Sequence, residues 1–141
     1  MAINNYSDLT SAIAAWMART DLTARIPDFI RLAEAKFNRN LFVPQMEQRS
    51  TVTIDINDPS PEFVDLPSGF QTMRLVRLGG ITGKPRLEFF TPVQIEDYRY
   101  SRDNVSGRPL YFAIIGTQME LAPTPNEDYA IELLYRKNIP A

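Results

Sequence analysis

The sequence predicts an α+β protein: an N-terminal helical hairpin over residues 1–43, followed by a mainly antiparallel β-rich region over 44–141 that carries one short helix. Three observations predict it. Apolar residues recur at helical spacing up to Leu41, the apolar period changes to two after Gln48-Arg49, and Val43-Pro44 marks the switch between them. At 141 residues and 44% hydrophobic content the chain is sized for one ordinary core, so the helices and the β-rich region are expected to form a single compact unit.

In Tyr6–Met17, Leu9, Ile13, Trp16 and Met17 fall on one helical face, with Ser7 or Asp8 placed to cap the N-terminus. Asp21-Leu22-Thr23 connects this helix to a second one. Asp21 is placed to cap it, and Pro27 suits its first turn, where a missing N–H costs nothing. The second apolar stripe is Ile26, Phe29, Ile30, Ala33, Phe37 and Leu41, while Arg31 and Glu34 are spaced to pair at i, i+3. Pro44 disfavours helical backbone in the residue before it, so the helix should stop between Leu41 and Val43.

Beyond Gln48, Ser50–Ile56 alternates with Val52, Ile54 and Ile56 on one face, as a half-buried strand requires. Asn57–Pro61 is a turn, Glu62–Leu66 a short strand ended by Pro67-Ser68-Gly69, and Phe70–Leu78 a longer strand closed by Gly79-Gly80. Arg86–Phe90 is a further strand. It leads into Thr91-Pro92-Val93-Gln94, a capping-box pattern that predicts a helix to about Tyr98 or Arg99. The last third reads as a three-strand meander of Leu110–Ile115, Gln118–Leu121 and Tyr129–Arg136, in which Leu134 departs from the alternation.

Composition narrows the function. Fifteen Lys and Arg against 17 Asp and Glu give a net charge of −2, which argues against nucleic-acid binding as a main role, since that role calls for a basic excess. The absence of Cys removes disulfides, thiolate nucleophiles and Cys-based zinc sites, and the absence of His removes the commonest general base and metal ligand. There is no apolar run long enough to span a bilayer, and no signal-peptide pattern at the start. Neither Glu96-Asp97 nor Glu127-Asp128 has the spacing of an acid/base couple or a metal site. Gly79, Gly80 and Gly83 match no phosphate-binding pattern. No catalytic residue, metal or cofactor is therefore expected. A carboxylate-only enzyme such as a glycosidase finds no supporting constellation.

The order of several packing and turn patterns carries a resemblance. Tyr6-x-x-Leu9-x-x-Ala12-Ile13-x-x-Trp16 is followed by Leu22-x-x-x-Ile26-Pro27-x-Phe29-Ile30-x-Leu32-Ala33-Glu34 and by Arg39-x-Leu41 leading to Met46-Glu47. Leu66-Pro67-x-Gly69-Phe70, Arg108-Pro109-x-Tyr111 and Leu121-x-Pro123-x-Pro125 come next. In this order the sequence resembles the head-to-tail adaptor, head-completion or connector proteins of tailed bacteriophages.

The resemblance implies a structural virion protein at the capsid vertex and neck, assembled in the host cytoplasm and without enzymatic activity. Such adaptors form a homo-oligomeric ring, typically of twelve copies, and need not associate when isolated. The ring sits beneath the portal protein, extends a channel through which DNA passes without sequence-specific binding, and docks tail proteins of the nozzle or tail tube. No membrane partner is implied. The family would continue past Asn138-Ile139-Pro140-Ala141 with further helices, so C-terminal bundle helices are expected to be absent here. A tail or baseplate module built on a β-sandwich is the alternative.

Trp16, Phe29 and Phe37 lie on helical stripes and read first as core. Trp16 and Phe37 are also the candidates for interface anchors. Arg25, Arg31 and Arg39 are the candidate charged contacts to an acidic portal surface. Arg74 and Arg77 alternate to opposite faces of one strand and are not expected to form a patch.

Overall fold

The computed structural model describes residues 2–139. Its architecture is α+β, as the sequence predicts, in two compact units: residues up to Phe42 together with Ile139, and Val43–Asn138.

The helical unit contains α1 (Tyr6–Met17) and α2 (Ile26–Asn40). Asn5, two positions ahead of Ser7 and three ahead of Asp8, caps α1 in their place: its Oδ1 accepts from the Asp8 N–H at 2.9 Å. Asp8 serves from inside the first turn, accepting the Asn4 N–H at 3.2 Å. Asp21 does not cap α2. It pairs with Arg19 at 2.6 Å, and a 3-10 turn over Thr23–Arg25 runs straight into the helix with Pro27 in its first turn. Leu41 is extended, so the helix ends just before the expected stretch. No ion pair joins Arg31 to Glu34 among the described residues. Asn38 instead brackets the backbone of Ile139, accepting its N–H at 2.7 Å and donating to its carbonyl at 3.5 Å. Only Ile26 and Ile30 of the two stripes are buried.

The second unit is a two-sheet sandwich with one helix on its flank. Its elements are β1 (Glu47–Ile54), β2 (Phe63–Asp65), β3 (Phe70–Gly79), β4 (Glu88–Phe89), α3 (Pro92–Ser101), β5 (Tyr111–Ile115), β6 (Gln118–Ala122) and β7 (Tyr129–Lys137). One sheet has the order β1-β7-β3 and is antiparallel throughout. The other has the order β2-β6-β5-β4, with a parallel β4–β5 pair. Ile131, Leu133 and Tyr135 of β7, with Val76 and Leu78 of β3, meet Phe112, Met119 and Leu121 of the opposite sheet in one core.

The expected meander is broken at β7, which leaves β5 and β6 to pair as a hairpin. Pro123 and Pro125 occupy the β6–β7 connection and cannot donate ladder hydrogen bonds, and the chain crosses to the other sheet, where β7 pairs on both edges. β1 begins three residues before the predicted strand and ends at Ile54. Asp55 ends it by accepting the Asn57 N–H and side-chain amide, both at 2.8 Å. Ile56 donates its N–H to Asp128. Arg86–Phe90 is only partly a strand because it serves both sheets. Leu78 and Leu87 exchange backbone bonds with the Pro85 and Val76 carbonyls of one sheet's side, and Glu88 and Phe90 then donate to Leu110 and Phe112 on the other.

α3 forms where the capping box predicts: Thr91 Oγ1 accepts the Gln94 N–H and the Gln94 side chain accepts the Thr91 N–H. Ile95 packs on Ala113 and Ala122, and Tyr111 stacks on Phe90 at 4.0 Å between ring centres with Tyr98 edge-on at 5.0 Å. Ile131 is fully buried between the sheets. Ile131→Ala is expected to lower unfolding free energy by about 2–5 kcal/mol, and Thr91→Ala by only about 1 kcal/mol, both measured by urea denaturation.

Candidate functional site

Among the described residues no three acidic side chains converge as a metal site. What the molecule presents is surface. On α1 no residue is buried, and Ile3, Leu9, Ala12, Ile13, Trp16 and Met17 line a shallow apolar groove. Trp16 is 93% exposed. On α2, Phe29, Leu32 and Phe37 are also exposed. Three aromatic residues that read as core are therefore on the surface. A stripe at helical spacing records which face is apolar, and not whether anything covers it.

Arg25, Arg31 and Arg39 are exposed as well. They spread over about 20 Å along the helix at its ordinary rise, so they make no focused cluster. No hydrogen bond or ion pair joins them to each other among the described residues.

A more concentrated charged surface lies on the outer face of the β1-β7-β3 sheet. β7 alternates strictly: Tyr129, Ile131, Leu133 and Tyr135 point into the core, leaving Glu132, Leu134 and Arg136 on the outer face. Register sets Glu47, Arg49 and Thr51 of β1 beside Arg136, Leu134 and Glu132, with Thr72, Leu75 and Arg77 of β3 on the other side. Two leucines thus sit half-buried at the centre of a groove walled by Arg49, Arg77 and Lys84.

Arg74 joins this face through a β-bulge. Met73 opposes Tyr135 and Leu75 opposes Leu134, so Arg74 is the extra residue, and the inside–outside phase of β3 shifts at that point. Its guanidinium reaches over β7 to Glu47 at 3.3 Å. Simple alternation had placed Arg74 and Arg77 on opposite faces; the bulge puts them on the same one. Nothing in the composition of Phe70–Leu78 announces that extra residue.

Glu132 organises the centre of the face. It accepts from Lys84 Nζ at 2.8 Å and from Arg77 Nε at 2.6 Å. These two cations, Lys84 first, hold its carboxyl below the ordinary carboxylate range. Gly79, which opposes Ala130 and lies diagonal to Glu132, makes room: a Cβ there would stand 3.3 Å from Glu132 Cγ and Oε1.

A second ion pair lies under α3. Glu120 of β6 is 3% exposed on the side that faces the helix, and Arg99 donates to its Oε1 and, at 2.9 Å, to the Leu121 carbonyl. Arg99 Nε is buried without a partner. The pair is a clasp between helix and sheet, and Arg99 also lines an open surface cavity with Glu96, Tyr100, Ser101, Asp103 and Asn104.

The sequence matches the family model described as SU10 adaptor protein over residues 4–141, and the chain belongs to that family of phage head-to-tail adaptors. No curated protein matches the chain.

Two substitutions separate the ion pairs. Glu120→Ala leaves the largely buried Arg99 with only its longer 3.8 Å contact to exposed Glu96 and is expected to destabilise the fold by about 3 kcal/mol in urea unfolding at neutral pH. Glu132 behaves differently. Its depressed folded value means that its stabilisation is fully present above the unfolded carboxylate pKa and is lost as pH falls through the folded value. Glu132→Gln is therefore expected to be less stable near neutral pH and to lose less stability on acidification, with the two unfolding curves converging at low pH.

Proposed function

We propose that this member of the SU10 adaptor family is a non-enzymatic ring component of the virion neck, seated beneath the portal, extending the DNA channel and docking tail proteins. The observation that carries the reading is the uncovered apolar surface of the helical unit, with Trp16 93% and Phe37 55% exposed. Large aromatic side chains left in water at about 25 cal/mol per Å² are a standing incentive to associate, and a ring subunit satisfies it by burying them against the portal or a neighbour.

On this reading Trp16 and Phe37 anchor the contact, and Arg25, Arg31 and Arg39 surround them with charges that an acidic partner surface can meet. Rim charges of this kind set orientation and association rate more than affinity. DNA passes through the assembled channel without sequence-specific contacts, which a chain of net −2 is suited to permit. Assembly takes place in the host cytoplasm. A monomer in isolation is compatible with it, since a template can hold copies that do not associate when free.

The test is co-sedimentation of the full chain with purified portal rings from the same phage. Binding is expected, and Trp16→Ala combined with Phe37→Ala should weaken it at least about tenfold, as loss of central aromatic anchors does. Reversing Arg25, Arg31 and Arg39 to Glu should slow association and invert its salt dependence, since added salt then screens repulsion. Failure of the wild-type chain to bind portal would overturn the proposal and favour a tail or baseplate module built on the β-sandwich.

A further inference from the structure

The outer face of the β1-β7-β3 sheet and the loop end of the same unit are complementary in charge. Arg49, Arg74, Arg77, Lys84, Arg86 and Arg136 against Glu47 and Glu132 leave the face at +4, so the rest of a chain of net −2 carries −6. Much of that deficit is gathered in one place, where Arg108 near Tyr129 is a neighbouring cation. No Lys or Arg occurs from Ser50 to Met73. Asp55, Asp58 and Glu62 lie there, and β1 ends at Ile54 directly opposite the start of β7 at Tyr129, which brings Glu127 and Asp128 alongside. The Ile56 N–H bond to Asp128 ties the two loops together.

This acidic end is preorganised. Asp58 donates its N–H to the Asp55 carbonyl at 3.1 Å, Ser60 donates to Asp58 Oδ1 at 3.2 Å, and Phe63 donates to the Ser60 carbonyl at 3.1 Å. Asp55, Asp58 and Asp128 accept these loop bonds through Oδ1, and all three residues are exposed. Ile56, 39% exposed, gives the acidic end an apolar centre, just as Leu75 and Leu134 give the basic face one.

We infer that the basic outer face of the β1-β7-β3 sheet receives the acidic 55–62 and 127–128 loops of a second copy of this chain, an inference that rests on the ring-forming adaptor reading. The face looks out perpendicular to the sheet while the loops lie at its strand ends, so the two surfaces of one copy can be taken by two different neighbours. The contact is head-to-tail, and repetition closes a ring or propagates a filament. DNA is the other polyanion that such a face could take. Two carboxylates stand within it, Lys84, Arg77 and Arg74 are already engaged by them, and two leucines occupy its centre. A protein loop carrying both acids and Ile56 matches that pattern better than a phosphate backbone does.

The absence of cysteine allows a direct test. Thr51→Cys, on the face, and Ser60→Cys, on the loops, are made in separate full-length chains, one carrying a mass tag. They are mixed and oxidised both free at high concentration and on portal-bearing heads. The expected product is the mixed disulfide dimer in excess of either homodimer. Arg49→Glu with Lys84→Glu should reduce it at least about tenfold, and Asp58→Lys with Glu127→Lys in the other chain should restore it, as a paired charge swap does.

If heads bind the chain but the mixed product does not exceed the homodimers, this inference falls and the adaptor reading stands. If heads do not bind the chain, the adaptor reading falls, and the mixed product formed in solution decides the contact alone. No association in either setting overturns both. A gel-shift arm with labelled duplex DNA completes the test: retention by the wild-type chain that is abolished by Arg49→Glu with Lys84→Glu would assign the face to DNA instead.

Discussion

The strand on which the rest depends is β7. It is the one strand of its sheet paired on both edges, and its two faces do different work. Inward, Tyr129, Ile131, Leu133 and Tyr135 supply the side of the core against which the second sheet closes. Outward, Glu132, Leu134 and Arg136 set the centre line of the charged face. Because side chains alternate with a period of two, a one-residue slip of β7 would bury Glu132 and Arg136 and expose Ile131 and Leu133 together. Core and surface are thus fixed by the same register, and neither can change without the other.

Register alone would leave α3 free to slide on its sheet, because its apolar contact is small: Ile95 is the one fully buried residue it contributes. The Arg99–Glu120 pair supplies direction. A buried ion pair seldom adds much net stability compared with an apolar replacement, since desolvating two charges offsets most of their attraction. It does penalise every arrangement in which one charge is buried without the other. With Arg99 also bonded to the Leu121 carbonyl, the guanidinium selects one helix position over its neighbours. Specificity of packing is the better account of this pair than strength.

Local chemistry was legible in the sequence wherever one residue type decides the outcome. The Thr91–Gln94 capping box and the helix end ahead of Pro44 both follow from side chains that satisfy or forbid particular backbone groups. Partnership between distant segments was not legible. Tyr129–Arg136 reads as a strand from its alternation, but nothing in that alternation says that β1 and β3, and not β6, lie beside it. The β-bulge at Arg74 belongs to the same class, since an inserted residue is defined only against the opposing strand. Trp16 and Phe37 show the converse: their stripes are plain in the sequence, and exposure is a property of what packs against them. The candidate arginines on α2 and the turn before it were visible as charges; the denser set across β1, β7 and β3 was scattered through the sequence and assembled only by pairing.

The two surfaces differ in physical kind, and the difference bears on how an adaptor could be built into a virion. The apolar face of α1 and α2 gains from burial of non-polar area, which salt does not weaken and excluded salts such as sulfate strengthen. The sheet face works through charges at the surface, whose reach contracts to about 8 Å at physiological ionic strength and further as salt rises. A subunit held by both kinds of contact has one that tolerates changes in ionic conditions and one that responds to them. On the adaptor reading, the aromatic contact is suited to permanent seating on the portal. The charged contact, weaker and reversible, is suited to correcting the placement of successive copies before the ring closes, because a misplaced charged pair dissociates faster than a misplaced apolar one commits.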